Sequence, residues 1–476
     1  MKKLKIEKEE KEKEEKEKEE KEKEKIKIIQ EEENKRKKKE QEIKNKNEEE
    51  EEEKIKTEDE ENKITEEEKE KTIKNNNDNN EEEEKNSQND NIYKEPRIGL
   101  KNIGGTFYMN ATIQCLIKTI KLKNYFLEPN NKDTIFNNNI IKKNNNTLEL
   151  STSFYELFQN LWDKNNKNGF YSPINFKQKI NQMNSLFQGY NSGDSRDLIN
   201  FIFTQLHKEL NIINYNNNKN TKLDTPYYQY DRNQVLNIFF EEFKRDHNSI
   251  IFNLFFGVTE HVSECLICKK KNKAKGLKYK YKYNFQYINC IIFPLENVRN
   301  YRNNKFMQMN ANIMTPNMMT DILNNNRVFI IDCFEYYQNP VIMKDENQIY
   351  CNVCKKKCDS NYRTKIYYSP EIMILVLDRG ENIKYNVEID FLPSIDITEY
   401  IDKNYAKGNK FEYDLYAVLT YVGENYKTGH YIAFCKCHDD TKKWVCYNDD
   451  NVSEIIDFIN QVHDYGMPYI LFYEKK

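Results

Sequence analysis

Hydrophobic and polar positions divide the chain into two parts of different character. Residues 1–94 are almost wholly lysine, glutamate and asparagine, and their few isoleucines recur without a helical or strand period. Such a segment cannot bury enough apolar surface to offset the entropy cost of ordering it. We therefore predict a low-complexity, disordered tail over residues 1–94, with an interaction tail or a coiled-coil arm as the alternative.

From residue 95 onward, apolar side chains recur at the spacings of helices and strands. Two glycines and a threonine precede a helical pattern, which predicts a loop, a tight turn and a buried helix over Met109, Ile113, Leu116, Ile117 and Ile120. Helical spacing recurs over residues 154–162 and 197–210. A loop rich in methionine and asparagine is expected at residues 307–319. Buried strands are predicted at residues 372–377, 413–421, 428–434 and 469–473.

The balance of charge and the length of the apolar runs exclude several classes of function. The 476 residues include 75 Lys and Arg against 78 Asp and Glu, so no overall positive charge favours nucleic acid as a partner. Alternating Lys and Tyr at residues 278–283 are expected to form an exposed strand edge rather than a nucleic-acid surface. The apolar runs are too short to cross a bilayer, and no secretory signal is recognisable. We therefore expect no membrane association.

Cysteine usage indicates a metal site in a reducing compartment. Eleven cysteines without a secretory signal favour the cytoplasm or the nucleus. Two Cys-x-x-Cys pairs, Cys265 with Cys268 and Cys351 with Cys354, can supply the four thiolates of a tetrahedral zinc site. The pairs are too far apart for an isolated zinc finger, so strands must bring them together. We predict a structural zinc ion, with reduced thiols as the alternative and Cys358 as a possible substitute ligand.

The most specific motif lies at residues 99–116 and has the sequence Gly-Leu-Lys-Asn-Ile-Gly-Gly-Thr-Phe-Tyr-Met-Asn-Ala-Thr-Ile-Gln-Cys-Leu. It resembles the nucleophile box of the ubiquitin-specific proteases, Gly-Leu-x-Asn-x-Gly-x-Thr-Cys-Tyr-Met-Asn-Ser-x-x-Gln-x-Leu. Where that family carries its catalytic cysteine, this chain has Phe107. Asn102 takes the position that the resemblance implies for a donor to the reaction's oxyanion.

A second motif resembles the histidine box of the same family. The family pattern Gly-His-Tyr-x-Ala, then Trp-x-x-Phe-Asn/Asp-Asp-x-x-Val and a final Leu-Phe-Tyr strand, has its counterpart here in the same order. By this resemblance His430 is the general base, Asn448 orients it and Asp449 lies beside them. Gly429 and Tyr431 are implied to contact the substrate.

The start of the predicted helix at residues 197–210 is also similar to a family motif. Residues 193–198, Gly-Asp-Ser-Arg-Asp-Leu, correspond to Gln-Asp-Ala-Gln-Glu-Phe, with Gly193 as a departure. The resemblance implies that Asp194 contacts the tail of ubiquitin. Independently, Asp194 is a candidate N-cap, and the two roles are compatible.

These motifs imply an α+β, papain-like fold with a thumb, a palm and zinc-pinned β fingers. The implied domain covers residues 95–476, with the fingers at roughly residues 250–365. Its cleft is expected to take the tail of ubiquitin or a ubiquitin-like protein.

Residue 107 separates this chain from the chemistry of that family. Isopeptide hydrolysis on this scaffold needs a thiolate at a helix N-terminus beside an imidazole. Phe107 has no proton to lose, and neither Thr106 on the turn nor Cys115 two helical turns later is a credible replacement. We predict an inactive protein that retains ubiquitin recognition, with the Phe107 ring projecting into the channel for the ubiquitin tail. The alternatives are an active cysteine-type deubiquitinase, if residue 107 is misread, and a scaffold of a multiprotein complex that does not bind ubiquitin.

Overall fold

The computed structural model describes residues 95–128, 148–189, 193–213, 231–275, 281–310, 326–380, 387–423, 429–439 and 441–476, with a few isolated residues between 315 and 323. The predicted tail at residues 1–94 lies outside the described residues. None of the described helices is long and apolar enough to cross a bilayer.

Helices and strands alternate along the chain without a simple repeat. The helices are α1 (Phe107–Ile117), α2 (Ile120–Leu127), α3 (Glu149–Leu161), α4 (Ile174–Met183), α5 (Ser195–Leu210), α6 (Arg232–Asp246), α7 (Ile250–Phe255), α8 (Leu266–Ala274), α9 (Leu295–Met309), α10 (Ile330–Gln338), α11 (Lys403–Ala406) and α12 (Phe458–Tyr465). The strands are β1 (Gly99–Leu100), β2 (Phe170–Tyr171), β3 (Gly257–Cys265), β4 (Lys282–Ile288), β5 (Ile291–Pro294), β6 (Arg327–Phe329), β7 (Val341–Met343), β8 (Ile349–Cys351), β9 (Lys356–Cys358), β10 (Ser360–Tyr368), β11 (Ile372–Asp378), β12 (Glu388–Asp390), β13 (Ser394–Asp396), β14 (Glu412–Val422), β15 (His430–Lys436), β16 (Trp444–Asn448), β17 (Asn451–Ile455) and β18 (Met467–Lys475).

Helix α1 is the central element of the helical layer. Every residue from Tyr108 to Ile117 is buried, because α1 packs between the helices α2, α3 and α5 and the strands β14, β15 and β16. The helix α3 turns one apolar face to the same core through Leu150, Phe154, Leu157, Phe158 and Leu161. The predicted buried helix after the glycine pair is confirmed for Met109, Ile113, Leu116 and Ile117. The prediction is wrong for Ile120, which is half-buried and begins α2, because α1 ends at Ile117.

Among the described residues, the largest sheet has eight strands, in the order β17-β16-β15-β14-β18-β11-β5, with β13 beside β14. Strand β11 shows how it divides the interior. Ile372, Ile374 and Val376 face the helical core, whereas the alternate residues Met373, Leu375 and Leu377 face a second core on the opposite side. Because both faces are covered, the strand is a continuous apolar run rather than an alternating one.

A smaller sheet with the strand order β4-β3-β10-β7 corresponds to the predicted fingers. The predicted range of about residues 250–365 also contributes to the large sheet, since β5 pairs with β11. Helices α9 and α10 pack in the second core through Leu295, Val298, Ile330 and Phe334. Strands from two separate stretches therefore form the smaller sheet.

Two local expectations are tested by the described residues. Helix α9 extends to Met309, so the first residues of the loop expected at 307–319 are helical instead. Methionine is a good helix former, and no proline or glycine interrupts the chain before Pro316. The strand edge expected at 278–283 is present from Lys282, where β4 begins at the border of the smaller sheet. The mixed α+β prediction is confirmed.

Candidate functional site

The loop before α1 is fixed in shape by Asn102. Its side-chain oxygen accepts hydrogen bonds from the backbone N–H of Gly104 at 3.1 Å and of Thr106 at 3.3 Å. Gly104 and Gly105 have φ angles of 109° and 61°, in the left-handed region that glycine adopts without a steric penalty. The turn therefore delivers residue 107 to the first position of the helix.

The Phe107 side chain lies against the imidazole of His430. The two ring centroids are 5.1 Å apart and the rings are tilted by 54°. Phe107 is half-buried and also packs against the helical core. The ring thus rests on the imidazole and on the core, a contact that removes apolar surface from water. Projection of the ring into the channel for the ubiquitin tail stays a prediction.

His430 lies at the start of β15 and is oriented by a neighbouring strand. Its Nε2 is 2.6 Å from Oδ1 of Asn448, the last residue of β16. Because an amide oxygen only accepts, this contact requires the proton on Nε2 and leaves Nδ1 outside the hydrogen bond. The predicted pair of His430 and Asn448 is therefore in contact.

Gly429 allows the chain to pass close to Tyr421 just before β15 begins at His430. A Cβ at residue 429 would lie 1.9 Å from the Tyr421 ring, so a side chain is excluded unless that tyrosine moves. Glycine is required here by close packing, immediately before the histidine.

Asp449, which directly follows β16, joins the strand of Asn448 to the loop and to α1. Its carboxylate accepts from Nδ2 of Asn102 at 3.0 Å and from Nδ2 of Asn110 at 2.8 Å. The Asp449 carbonyl accepts from the N–H of Leu100 at 2.8 Å. Asn110 matches the family box, but we assigned it no role. Its position, one helical turn after residue 107, could have indicated that Asn110 belongs to the site.

Asp194 is an N-cap whose second oxygen is also engaged. Its Oδ1 accepts from the N–H of Arg196 at 2.8 Å and of Asp197 at 3.2 Å. Its Oδ2 accepts from the hydroxyls of Tyr469 at 2.9 Å and Tyr431 at 3.4 Å. Burial, together with the Asp194 charge, raises the pKa of both tyrosines. The capping interpretation is therefore confirmed, and contact with a substrate stays a prediction for Asp194 and Tyr431.

Neither alternative nucleophile is available at the site. Thr106 is fully buried, and its Oγ1 accepts from the N–H of Ile103 at 3.1 Å within the turn. Cys115 is fully buried, and burial raises the pKa of its thiol well above the usual value.

The predicted metal ligands converge at the end of the smaller sheet. The Sγ atoms of Cys265, Cys268, Cys351 and Cys354 all lie within 4.8 Å of one another. Measured separations are 3.4 Å for Cys268 and Cys354, 3.7 Å for Cys268 and Cys351, and 4.0 Å for Cys265 and Cys354. Zinc–sulfur bonds of about 2.3 Å at tetrahedral angles place sulfurs about 3.8 Å apart. The four thiols therefore fit zinc.

The backbone around each pair also suits a metal thiolate. The N–H groups of Ile267 and Cys268 are directed at Sγ of Cys265. Those of Val353 and Cys354 are directed at Sγ of Cys351. Burial opposes ionisation of Cys351, but these amides and the neighbouring thiols outweigh it and leave the pKa of Cys351 below the ordinary thiol value. In each pair backbone amides thus point at the first sulfur, although Cys268 lies in α8 and Cys354 in the β8–β9 turn. At Cys265 burial and the neighbouring thiols outweigh these amides and raise the pKa of the thiol.

Comparison with known proteins agrees with this geometry. The family described as ubiquitin carboxyl-terminal hydrolase matches residues 98–473. Ubiquitin carboxyl-terminal hydrolase 21 of Homo sapiens is 22% identical over 397 residues, covering 79% of this chain and 61% of the relative. Ubiquitin carboxyl-terminal hydrolase 2 of Homo sapiens is 24% identical over 385 residues, covering 79% of this chain and 54% of the relative. The chain thus spans little more than half the length of these relatives.

The fold is similar to that of a solved complex, the SAGA Ubp8/Sgf11/Sus1/Sgf73 DUB module bound to ubiquitin aldehyde. The TM-score is 0.53 at 17% identity, with 80% of this chain and 70% of the other chain covered. Because the family match covers most of the chain, from Ile98 to Tyr473, the chain belongs to the ubiquitin carboxyl-terminal hydrolase family, which is the family of the ubiquitin-specific proteases.

Proposed function

We propose that this family member binds ubiquitin or a ubiquitin-like protein without hydrolysing it. The observation that carries the proposal is the contact between Phe107 and His430, with ring centroids 5.1 Å apart. In a cysteine hydrolase the position next to the general base holds the attacking sulfur. Here that position holds a hydrocarbon ring.

We propose that the remaining residues of the site keep the roles that hydrolysis would need. Asn448 would keep Nδ1 of His430 free to accept a proton, and Asp449 would tie Asn102 and Asn110 to the start of α1. Asn102 donates one amide hydrogen to Asp449 and has a second for an oxyanion. Without a nucleophile these groups have nothing to activate. Removing the nucleophile from such a catalytic unit lowers kcat by about 10⁶, the loss observed for the serine of subtilisin.

A role in binding is supported by the parts of the fold that do not depend on residue 107. The capped helix α5, the strand of Tyr431 and the smaller sheet are all present. The neighbour of known structure is described as bound to ubiquitin aldehyde, which supports ubiquitin as the class of partner for this fold. Because Phe107 covers His430 at the site, we propose that binding depends on the body of ubiquitin more than on its terminal diglycine.

Calorimetry with two ligands tests the binding proposal. We expect full-length ubiquitin and ubiquitin lacking the terminal diglycine to bind with similar affinity, and Phe107→Ala to favour the full-length form. Hydrolysis of a ubiquitin–fluorophore conjugate should stay at the level of a reaction without protein. A tenfold preference of the unmodified protein for full-length ubiquitin, about 1.4 kcal/mol, would contradict an obstructed channel.

A scaffold function is the second candidate. The neighbour of known structure is one subunit of a module with three other proteins, which favours assembly as a further role for this fold. Absence of any ubiquitin binding, together with co-purification of a defined set of subunits, would favour it over the first proposal.

The domain organisation and cofactor are part of the same proposal. We infer a domain at residues 95–476 preceded by a charged tail, with structural zinc at the four cysteines. All eleven cysteines are free thiols, which supports a reducing compartment, the cytoplasm or the nucleus. Metal analysis of native protein should find about one zinc per chain, and chelation should destabilise the smaller sheet.

A further inference from the structure

Five cysteine side chains, rather than four, converge at the end of the smaller sheet. Cys358 is 1% exposed and lies in one buried cluster with Cys265 and Cys268, against which Cys351 and Cys354 pack. A tetrahedral zinc site takes four thiolates. One buried thiol in this cluster therefore exceeds what the metal requires.

The hairpin of β8 and β9 brings Cys358 to the cluster. In its register Cys351 lies opposite Lys356, and Ile349 lies opposite Cys358. Because side chains alternate along a strand, Cys351 and Cys358 extend from the same face of the hairpin. Cys354 lies in the turn that joins the two strands.

The contacts of Cys358 link it to one cysteine of each pair. Its thiol is within hydrogen-bonding reach of the thiols of Cys265 and Cys354, and its Sγ is 3.5 Å from the Lys356 carbonyl. Cys358 thus lies beside two of the four ligand positions.

We propose that Cys358 is a reserve zinc ligand that takes the coordination position of either Cys265 or Cys354 when that thiol is lost. Cys358 gives its proton to water as it ligates, so the metal keeps four thiolates. This inference rests on the zinc site proposed above. It implies a metal site that survives alkylation or oxidation of Cys354, which is half-exposed at the turn, and of Cys265.

Removing the cysteines one at a time tests the proposal by metal content. Zinc per chain is measured on purified protein, and cobalt(II) titration reports the number of thiolates through its sulfur-to-metal absorption. We expect Cys354→Ser and Cys265→Ser to keep about one zinc per chain, with affinity within about tenfold of the unmodified protein. For Cys268→Ser and Cys351→Ser, we expect the affinity for zinc to fall at least a hundredfold.

Paired variants identify Cys358 as the source of any rescue. Cys358→Ser alone should bind zinc normally, whereas Cys354→Ser combined with Cys358→Ser should bind as weakly as Cys268→Ser. Cys354→Ser combined with Cys290→Ser is the matched control, because Cys290 lies outside the cluster, and it should keep its metal.

Three results would overturn the assignment. They are loss of zinc from Cys354→Ser alone, retention of zinc when Cys354 and Cys358 are both replaced, and absence of zinc from the unmodified protein. Circular dichroism of each variant separates metal loss from unfolding. If Cys268→Ser does not fold, the comparison of Cys354→Ser with its Cys358 double variant still decides between the outcomes.

Discussion

Replacing Phe107 by cysteine is expected to give the site a reactive thiol, which should attack ubiquitin that carries a carboxyl-terminal electrophile. The sulfur would be attached to the Cβ that now carries the ring, on the side that faces His430. The first position of α1 favours a thiolate through the helix dipole, and Nδ1 of His430 is available to take the proton. We expect Asn448 and Asp449 to keep their positions in this variant.

The cost in stability should be small enough for the variant to fold. Truncating a fully buried phenylalanine costs about 3–5 kcal/mol. Phe107 is only half-buried, and cysteine keeps part of the contact, so we expect about 1–2 kcal/mol for Phe107→Cys.

The assay is covalent capture by ubiquitin that carries a carboxyl-terminal electrophile. Unmodified protein and Phe107→Ser should form no adduct, whereas Phe107→Cys should gain the mass of one ubiquitin. Turnover of a ubiquitin–fluorophore conjugate by Phe107→Cys should exceed that of the unmodified protein by at least about 10³, within the roughly 10⁶ that a nucleophile contributes to such units. Adding His430→Ala should remove the gain.

One result would refute the reasoning behind this prediction. If Phe107→Cys folds and binds ubiquitin but forms no adduct, the retained residues are not organised for catalysis. A His430-dependent adduct on the unmodified protein would instead contradict its proposed inactivity.

The remaining predictions concern packing and buried charge. Lys118→Met should destabilise the protein by about 3–5 kcal/mol in thermal or urea unfolding, because it leaves the Glu95 carboxylate, 2.6 Å from the ammonium, buried without its partner; an effect below about 1 kcal/mol would show that the pair is dispensable. Burial and the neighbouring His247 lower the pKa of His207 to about 4, so between this value and about 6.5 the unfolded state binds a proton that the folded state does not. Stability should therefore fall as the pH falls through this window, by about 1–2 kcal/mol after allowance for partial exposure, and His207→Gln should flatten the urea-unfolding profile. Gly429→Ala, added to Phe107→Cys, should slow adduct formation at least tenfold, since its Cβ would meet the Tyr421 ring and displace the histidine strand; an unchanged rate would mean that the tyrosine moves aside.

The amino-acid sequence alone predicted the fold class and, through the resemblance, the candidate site residues other than Asn110. Helical and strand spacing is a local property, so the helix after Gly105 and the strand at Ile372–Asp378 were predictable from the pattern of apolar residues. The two boxes identified His430 and Asn448 because the order of residues within a motif is also local. Absence of a thiol at residue 107 needed no structure at all.

Only the tertiary structure decided how distant residues meet. Asp449 binds Asn102 and Asn110 across more than 300 residues of chain, and no periodicity encodes such a contact. Phe107 contacts His430 because α1 packs against β15, the strand that begins with His430. The residues next to Phe107 in the sequence do not specify this contact. Cys358 joins the four predicted ligands through the register of one hairpin and its packing on Cys265 from another strand. Local sequence determines the conformation of each segment. Which segments pack together depends instead on the whole chain, because both hydrophobic cores must be buried in the same structure.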